Sequence, residues 1–354
     1  MVTTYLRRAY TSFATHIYDV PPRRLAFMFL LLFLAFPATN PPQYILLILV
    51  IVNMMAIFAA SWDLLVGRTG QMSLGHALFF GIGAYTTALL NVFTDLPLWA
   101  TIPIGMLLSF VTAVAVGYVT LRVKGPYLAL VSLAFPIILI GAIFYFKDVT
   151  GGERGISGLP RFFPYLGLYE QRLAEFYFSL ILLLVSAVIL YKIAYSHTGI
   201  VMISILDDEV ASKGCGINVT KYKVMALAIS SIFASLAGGV YVHILQSVSV
   251  GTLSVDLSFM AVIMTIFGGL GTIYGPLAGA FVIQLLDRYV LNDLIVVPST
   301  WRLLIYIIVV IILVIKWPRG IARFVTDQLG DISKAREIEE RGSHIWKKYK
   351  KKKK

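Results

Sequence analysis

The sequence predicts an all-α polytopic membrane protein with about 9–10 transmembrane helices, some of them short or broken by glycine. Three observations predict it. Of 354 residues, 58% are hydrophobic and only 14% charged, where soluble domains run near 45–50% and about 25%. The mean hydropathy is +0.84, and the apolar residues fall in runs long enough to span lipid. The formal charge of +12 collects on alternate loops between those runs. One soluble domain cannot hide that much apolar surface, so lipid must solvate part of it. A soluble enzyme, a secreted disulfide scaffold and a disordered chain are excluded. The single cysteine, Cys215, can form neither an internal disulfide nor a thiol-based metal site.

A span needs roughly 20 mostly apolar residues. The runs lie at residues 25–36, 44–62, 74–90, 98–119, 127–146, 176–191, 224–244, 257–286 and 303–315. The first is short and ends at Pro37, Pro41 and Pro42. It also fits a signal-peptide core, but no small-x-small cleavage site stands out. Most runs are apolar all round, as expected of helices buried in lipid or protein. Barrel strands would alternate and stop after about 10 residues. The 257–286 run is cut by Gly268, Gly269, Gly271, Gly275 and Pro276, so it reads as two short helices that enter and return.

Arg7, Arg8, Arg23 and Arg24 precede the first span, which places the N-terminus in the cytoplasm. Alternation then puts 24 of the 30 basic residues and 10 of the 18 acids inside. The charge resolves into about +14 inside and −2 outside. On this map residues 1–24 are a cytoplasmic segment and 25–316 the transmembrane domain. Within that domain 147–175 is an external loop and 195–223 a long cytoplasmic loop. Residues 317–354 form a basic cytoplasmic tail ending in seven lysines within 347–354. Beside anionic lipid each contributes roughly 1 kcal/mol, so the tail reads as an inner-leaflet anchor.

Two glycine clusters are the strongest signal after hydropathy. The first holds Gly67, Gly70, Gln71, Ser73, Gly75 and His76; the second holds Gly268, Gly269, Gly271 and Thr272. Gly67 and Gly70 match Gly268 and Gly271 in register, and both clusters sit at the cytoplasmic end of a hairpin. That pattern suggests an internal duplication. Backbone broken at membrane depth must face protein or a water-filled cavity. These ten residues are therefore the candidates for a translocation pathway. A lone histidine in a span, such as His76 or His243, is more often a packing residue than a catalyst.

The loop at 195–223 carries Asp207, Asp208, Glu209, Ala211, Gly214, Gly216 and Asn218, and reads as a short amphipathic helix bounded by glycines. It lies either on its own bundle or under a cytoplasmic partner. The external loop has Gly151, Gly152, Glu153, Gly155 and Gly158 in one glycine-dense turn. It is either a flexible connector or a receptor-facing element. No nucleotide-binding, metalloprotease or nucleophile-elbow motif is present in the sequence. Ionisable residues within the runs are nearly absent, which weighs against an ion-coupled carrier with a carboxylate relay. A membrane-embedded enzyme would need clustered His, Asp or Glu at a helix end. Uphill transport then has to draw its energy from another subunit.

Residues 61–85 (SWDLLVGRTGQMSLGHALFFGIGAY) resemble the signature of branched-chain amino acid ABC transporter permeases of the M type. Three further stretches fit the same family in the same order: TGGERGISGLP at 150–160, DDEVASKGCGINVTKYK at 207–223 and FGGLGTIYGPLAGA at 267–280. The resemblance covers about 25–315. It implies a non-enzymatic permease subunit in a bacterial or archaeal cytoplasmic membrane, with both termini cytoplasmic. It implies a second homologous permease, two cytoplasmic ATPase subunits and an extracytoplasmic substrate-binding protein as partners. No cofactor is expected in this chain, since ATP and magnesium belong to the ATPases. The 207–218 segment aligns with the coupling region that touches the ATPase, although Lys213-Gly214-Cys215 interrupts its usual Ala-rich stretch. The expected solute is leucine, isoleucine or valine; urea and short-chain amide permeases look similar.

Overall fold

The computed structural model describes residues 33–94, 96–120, 126–288, 301, 304, 305, 308 and 311. The N-terminal segment, most of the predicted 25–36 and 303–315 spans, Arg122 and Lys124, and the lysine tail lie outside them. The chain divides into two units, Met1–Pro41 with Ile321–Lys354, and Pro42–Gly320. Of the first unit the described residues contain one 3-10 turn, Phe36–Thr39, opened by Pro37 and closed by left-handed Asn40. Everything below concerns the second unit.

Its elements run in order as α1 (Gln43–Thr69), α2 (Ala77–Thr94), α3 (Leu98–Thr120), α4 (Pro126–Tyr145), the single turn α5 (Lys147–Thr150), strand β1 (Ile156–Ser157) and α6 (Leu168–Ala194). Then come α7 (His197–Asp207), α8 (Glu209–Gly214), α9 (Val219–Leu245), strand β2 (Ser247–Val248), a 3-10 turn at Val250–Leu253, α10 (Val255–Gly268) and α11 (Tyr274–Leu285). Among the described residues six helices, α1, α2, α3, α4, α6 and α9, are long and apolar enough to cross a membrane. The chain is a multi-pass α-helical membrane protein, as its composition requires.

The helix α1 is the central post. At 27 residues it is about 40 Å long, more than the roughly 30 Å of a hydrocarbon core. It is buried almost throughout, from Leu46 to Thr69, against α6, α9, α10 and α11. Lipid tails are as apolar as leucine, so close backbone approach must hold such helices together. Gly238 on α9 supplies one approach, its Cα resting on the Phe80 carbonyl of α2. By contrast α3 and α4 expose large side chains, among them Leu107, Val119, Leu130 and Ile138, and these suit lipid or another subunit.

Three differences from the sequence reading have physical causes. First, α1 does not stop at Trp62 but continues to Thr69, carrying Asp63 and Arg68 into the interior. Second, the predicted 74–90 span begins as helix only at Ala77, and 70–76 is an unwound turn. Third, the 147–175 loop is anchored. Ile156 pairs with Val248 and Ser157 with Ser247 in an antiparallel ladder, and Leu159 N–H and Gly158 N–H both donate to the Gln246 carbonyl. The flexible-connector reading of that loop is thereby corrected. The predicted break in the 257–286 run is present, with α10 ending at Gly268 and α11 starting at Tyr274.

Candidate functional site

The two glycine clusters meet. A Cβ placed on Gly67 would lie 2.6 Å from both Cα and N of Gly271, so only glycine lets α1 touch the α10–α11 turn. One helical turn earlier, fully buried Asp63 faces the same turn. Its Oδ1 accepts from Gly271 N–H at 2.6 Å and its Oδ2 from Ile273 N–H at 3.0 Å. Ile273 has φ +61, a positive φ that a β-branched residue rarely adopts. Gly271 and Ile273 immediately precede α11, and a carboxylate is well suited to the positive end of the helix dipole. Thr272 completes the cap: its Oγ1 donates to Gly269 O at 2.7 Å and accepts from Gly275 N–H at 3.0 Å. Thr265 Oγ1 donates to Ala59 O at 3.3 Å, so α10 is also tied to α1.

The first break is held from three sides. Pro136 interrupts α4 and has no N–H to offer the Ser132 carbonyl four residues earlier. That carbonyl lies directly against Gly75, and Ser132 Oγ accepts from Leu74 N–H at 2.9 Å. Trp62 Nε1 donates to Ser73 O at 2.7 Å. Ser258 Oγ of α10 accepts from Ala77 N–H at 3.0 Å and so caps α2. His76 Nε2 sits 2.9 Å from Ser61 Oγ, with its ring between Phe58 and Phe79. His76 thus ties the turn to α1 through Nε2.

The candidate pathway residues therefore separate by surroundings. Gly67, His76, Gly268, Gly269, Gly271 and Thr272 are set among protein groups. Gln71, Ser73 and Gly75 border a cleft against α3 and α4. Gly70, at φ +69, closes α1 beneath Leu206 of α7. Sequence reasoning missed Asp63 and Arg68. Arg68 is 3% exposed and stacks its guanidinium 4.6 Å from the Tyr195 ring centroid. A signal was available in the SWDLL stretch: an Asp one residue past an apolar run asks for a buried partner.

The 195–223 loop folds into two short helices. Ser196 caps α7 through Gly199 N–H. Asp208 Oδ1 caps α8, accepting from Val210 N–H at 2.8 Å and Ala211 N–H at 2.9 Å. Ser212 Oγ donates to Ser204 O at 2.9 Å and pins α8 on α7. Glu209 bridges Lys213 and Lys223, each at 2.8 Å. Those two ammonium groups lower its carboxyl to about 2. Asn218 Oδ1 accepts from Lys221 N–H at 3.1 Å and caps α9. Asp207, Ala211, Gly214 and Gly216 are exposed beside Val210, which is 76% exposed. The helix α8 ends at Gly214, where the Lys-Gly-Cys interruption falls.

At the opposite end Gly151, Gly152, Gly155 and Gly158 all have positive φ, and Glu153 is exposed. The Gly155 Cα lies against the Val248 carbonyl. Beneath this turn His243 meets Pro160 O at 3.1 Å, and Glu175 is paired with Arg172 at 2.7 Å. No group of three or more metal-ligating side chains occurs among the described residues.

The chain matches the family model described as the branched-chain amino acid transport system permease component over residues 44–313. It is 26% identical over 296 residues to the high-affinity branched-chain amino acid transport system permease protein LivM of Salmonella typhimurium, covering 77% of this chain and 68% of that protein. The LivM of Escherichia coli is similar to the same extent. A guanosine ABC transporter permease, NupQ of Bacillus subtilis, is 27% identical over 49% of this chain and 59% of its own length. No solved structure matches the chain at the same significance. The six long helices and the match over most of the chain agree. The chain belongs to the branched-chain amino acid transport system permease family.

Proposed function

We propose that this chain forms one half of the membrane path of an ATP-driven importer of leucine, isoleucine and valine. The observation that carries this reading is the likeness to LivM over 77% of the chain. The site supports it chemically. The solutes are apolar in their side chains and need a modest apolar cavity, not a cage of charges. Two carboxylates are buried among the described residues: Asp63 is engaged by two backbone N–H groups and Glu175 by Gln171 and Arg172, so both are placed to hold elements together, not to relay ions.

In this reading the α7–α8 surface is where one of the two cytoplasmic ATPase subunits docks and where the ATP state biases the pathway between two conformations. Exposed Val210 and Ala211 offer contact area, while Asp208, Glu209 and Asn218 fix the helix ends. ATP and magnesium are bound by those subunits, and this chain has no enzymatic role. The anchored external turn at Gly151–Gly158 faces the solute-binding protein, and a homologous permease covers the exposed faces of α3 and α4. Both termini lie on the cytoplasmic side of a bacterial cytoplasmic membrane, with the lysine tail on anionic lipid.

The test is uptake of labelled leucine in a strain lacking its own leucine import, complemented by this chain and its partner subunits. Unlabelled isoleucine and valine are expected to compete and urea is not. Competition by urea alone would move the solute to the urea and amide branch.

A further inference from the structure

A cleft opens where α1 unwinds, between the 70–76 turn and parts of α3, α4 and α9. Leu65, Leu78, Leu128, Phe135 and Leu227 contribute apolar walls, and Gln71 lies among them. Gln71 is only 4% exposed, yet neither its Oε1 nor its Nε2 has a hydrogen-bond partner among the described residues. Two neighbouring hydroxyls of the lining are engaged within the chain. Ser132 Oγ donates to Ala129 O at 2.8 Å and accepts from Leu74 N–H at 2.9 Å. Thr120 Oγ1 donates to Val116 O at 2.8 Å. None of the described lining residues carries a charge.

A buried amide with both ends unpaired carries a large desolvation cost. It is also chemically specific: its oxygen accepts and its NH2 donates within one short reach. An α-amino acid head presents the matching pair, an ammonium donor beside a carboxylate acceptor. Apolar walls around a few fixed polar groups are the usual make-up of a small-molecule site. The turn is also held in place, since Trp62, Ser132 and Ser258 each bind its backbone. Such a turn presents Gln71 from a fixed position.

We propose that this cleft seats the solute, with Gln71 holding the amino acid head and Leu65, Leu78 and Leu128 holding an aliphatic side chain. Oε1 accepts from the ammonium and Nε2 donates to the carboxylate. Uncharged walls reject acidic and basic side chains, whose desolvation nothing in the lining offsets. This rests on the import of branched-chain amino acids proposed above and assigns the residues that select them.

The experiment has two arms. Binding of labelled leucine to the purified membrane complex is measured without the extracytoplasmic binding protein, so that the delivery protein's own selectivity does not enter. Uptake by the complete system is measured in parallel. Gln71→Leu is expected to weaken leucine binding about tenfold, the loss of one or two hydrogen bonds, and Gln71→Asn to weaken it less. Leu128→Trp should shift the preference from leucine toward alanine, and Leu128→Ala toward phenylalanine. Membrane level and basal ATPase rate identify any variant that fails to assemble, in which case the milder member of each pair carries the test. Leucine uptake by the wild type with no binding to the complex, or with affinity and side-chain ranking unchanged in all four variants, overturns the cleft assignment and leaves the importer reading intact. Absence of any branched-chain amino acid uptake in the wild type overturns the importer reading, and the cleft assignment with it.

Discussion

The Asp63 carboxylate accepts a 2.6 Å hydrogen bond from the backbone N–H of Gly271, a residue 208 positions further along the chain. A second bond, from Ile273 N–H at 3.0 Å, makes the carboxylate a clamp between the central helix and the start of α11. Its partners are backbone groups that α11 itself cannot satisfy. Removing the side chain strands one buried and one part-buried donor. Asp63→Ala is expected to destabilise the protein by about 3 kcal/mol, read as a lowered melting temperature in detergent. Asp63→Asn keeps one acceptor and should lose about half as much. Equal melting of Asp63→Ala and wild type would show that the clamp carries no weight.

Steric fit at the same crossing gives a sharper contrast. At Gly67 a methyl group would meet Gly271 backbone at 2.6 Å, whereas at Gly141 on α4 it would meet nothing within 4 Å. Gly67→Ala should therefore cost several kcal/mol, because backbone cannot move aside as a flexible side chain can. Gly141→Ala should change stability by less than about 1 kcal/mol. Similar yields and melting temperatures for the two variants would remove the close approach from the account.

How much of this was legible in the sequence depends on where each partner lies. The six long helices follow from apolar runs, a property of local composition. The break between α10 and α11 is legible too, because Gly268, Gly269, Gly271 and Pro276 cluster within nine residues and no helix interior tolerates that density. The end of α1 is not legible. Hydropathy falls at Asp63 and Arg68, and a charge at the end of an apolar run reads as a loop. The helix continues because Asp63 finds Gly271 and Ile273, and Arg68 finds Tyr195. The pairings with Gly271 and Ile273 span more than two hundred residues, so no local pattern encodes them. Gln71 stands in the first glycine cluster, but its unpaired amide shows only once α3 and α4 are in place.

The pH response of the α7–α8 loop has a definite sign. Glu209 has its carboxyl lowered from 4.5 to about 2 by Lys213 and Lys223. A depressed folded-state value means that the stabilisation is complete above the unfolded value and is lost as pH falls through the folded one. The two ion pairs should hold throughout the neutral range and weaken between about pH 4.5 and 2. Wild type should exceed Glu209→Gln in stability above pH 4.5, with the gap closing toward pH 2. A gap that does not change with acidification would contradict the paired geometry.

In the glycine-rich turn at 151–158 the Gly155 Cα lies against the Val248 carbonyl, with φ +68. A side chain there meets both a backbone clash and a strained conformation. Gly155→Val should release the β1–β2 ladder and speed protease cleavage near Glu153 and Arg154, with the six long helices intact. Unchanged cleavage would mean that the ladder does not anchor the loop.

The most direct test of the whole account is accumulation of labelled leucine in proteoliposomes. These hold this chain with the second permease, ATPase subunits and binding protein proposed for it. Leucine is expected to build up above its external concentration only when ATP is supplied, and collapsing proton and sodium gradients should change nothing. Accumulation by this chain alone, driven by an ion gradient and indifferent to ATP, would contradict it.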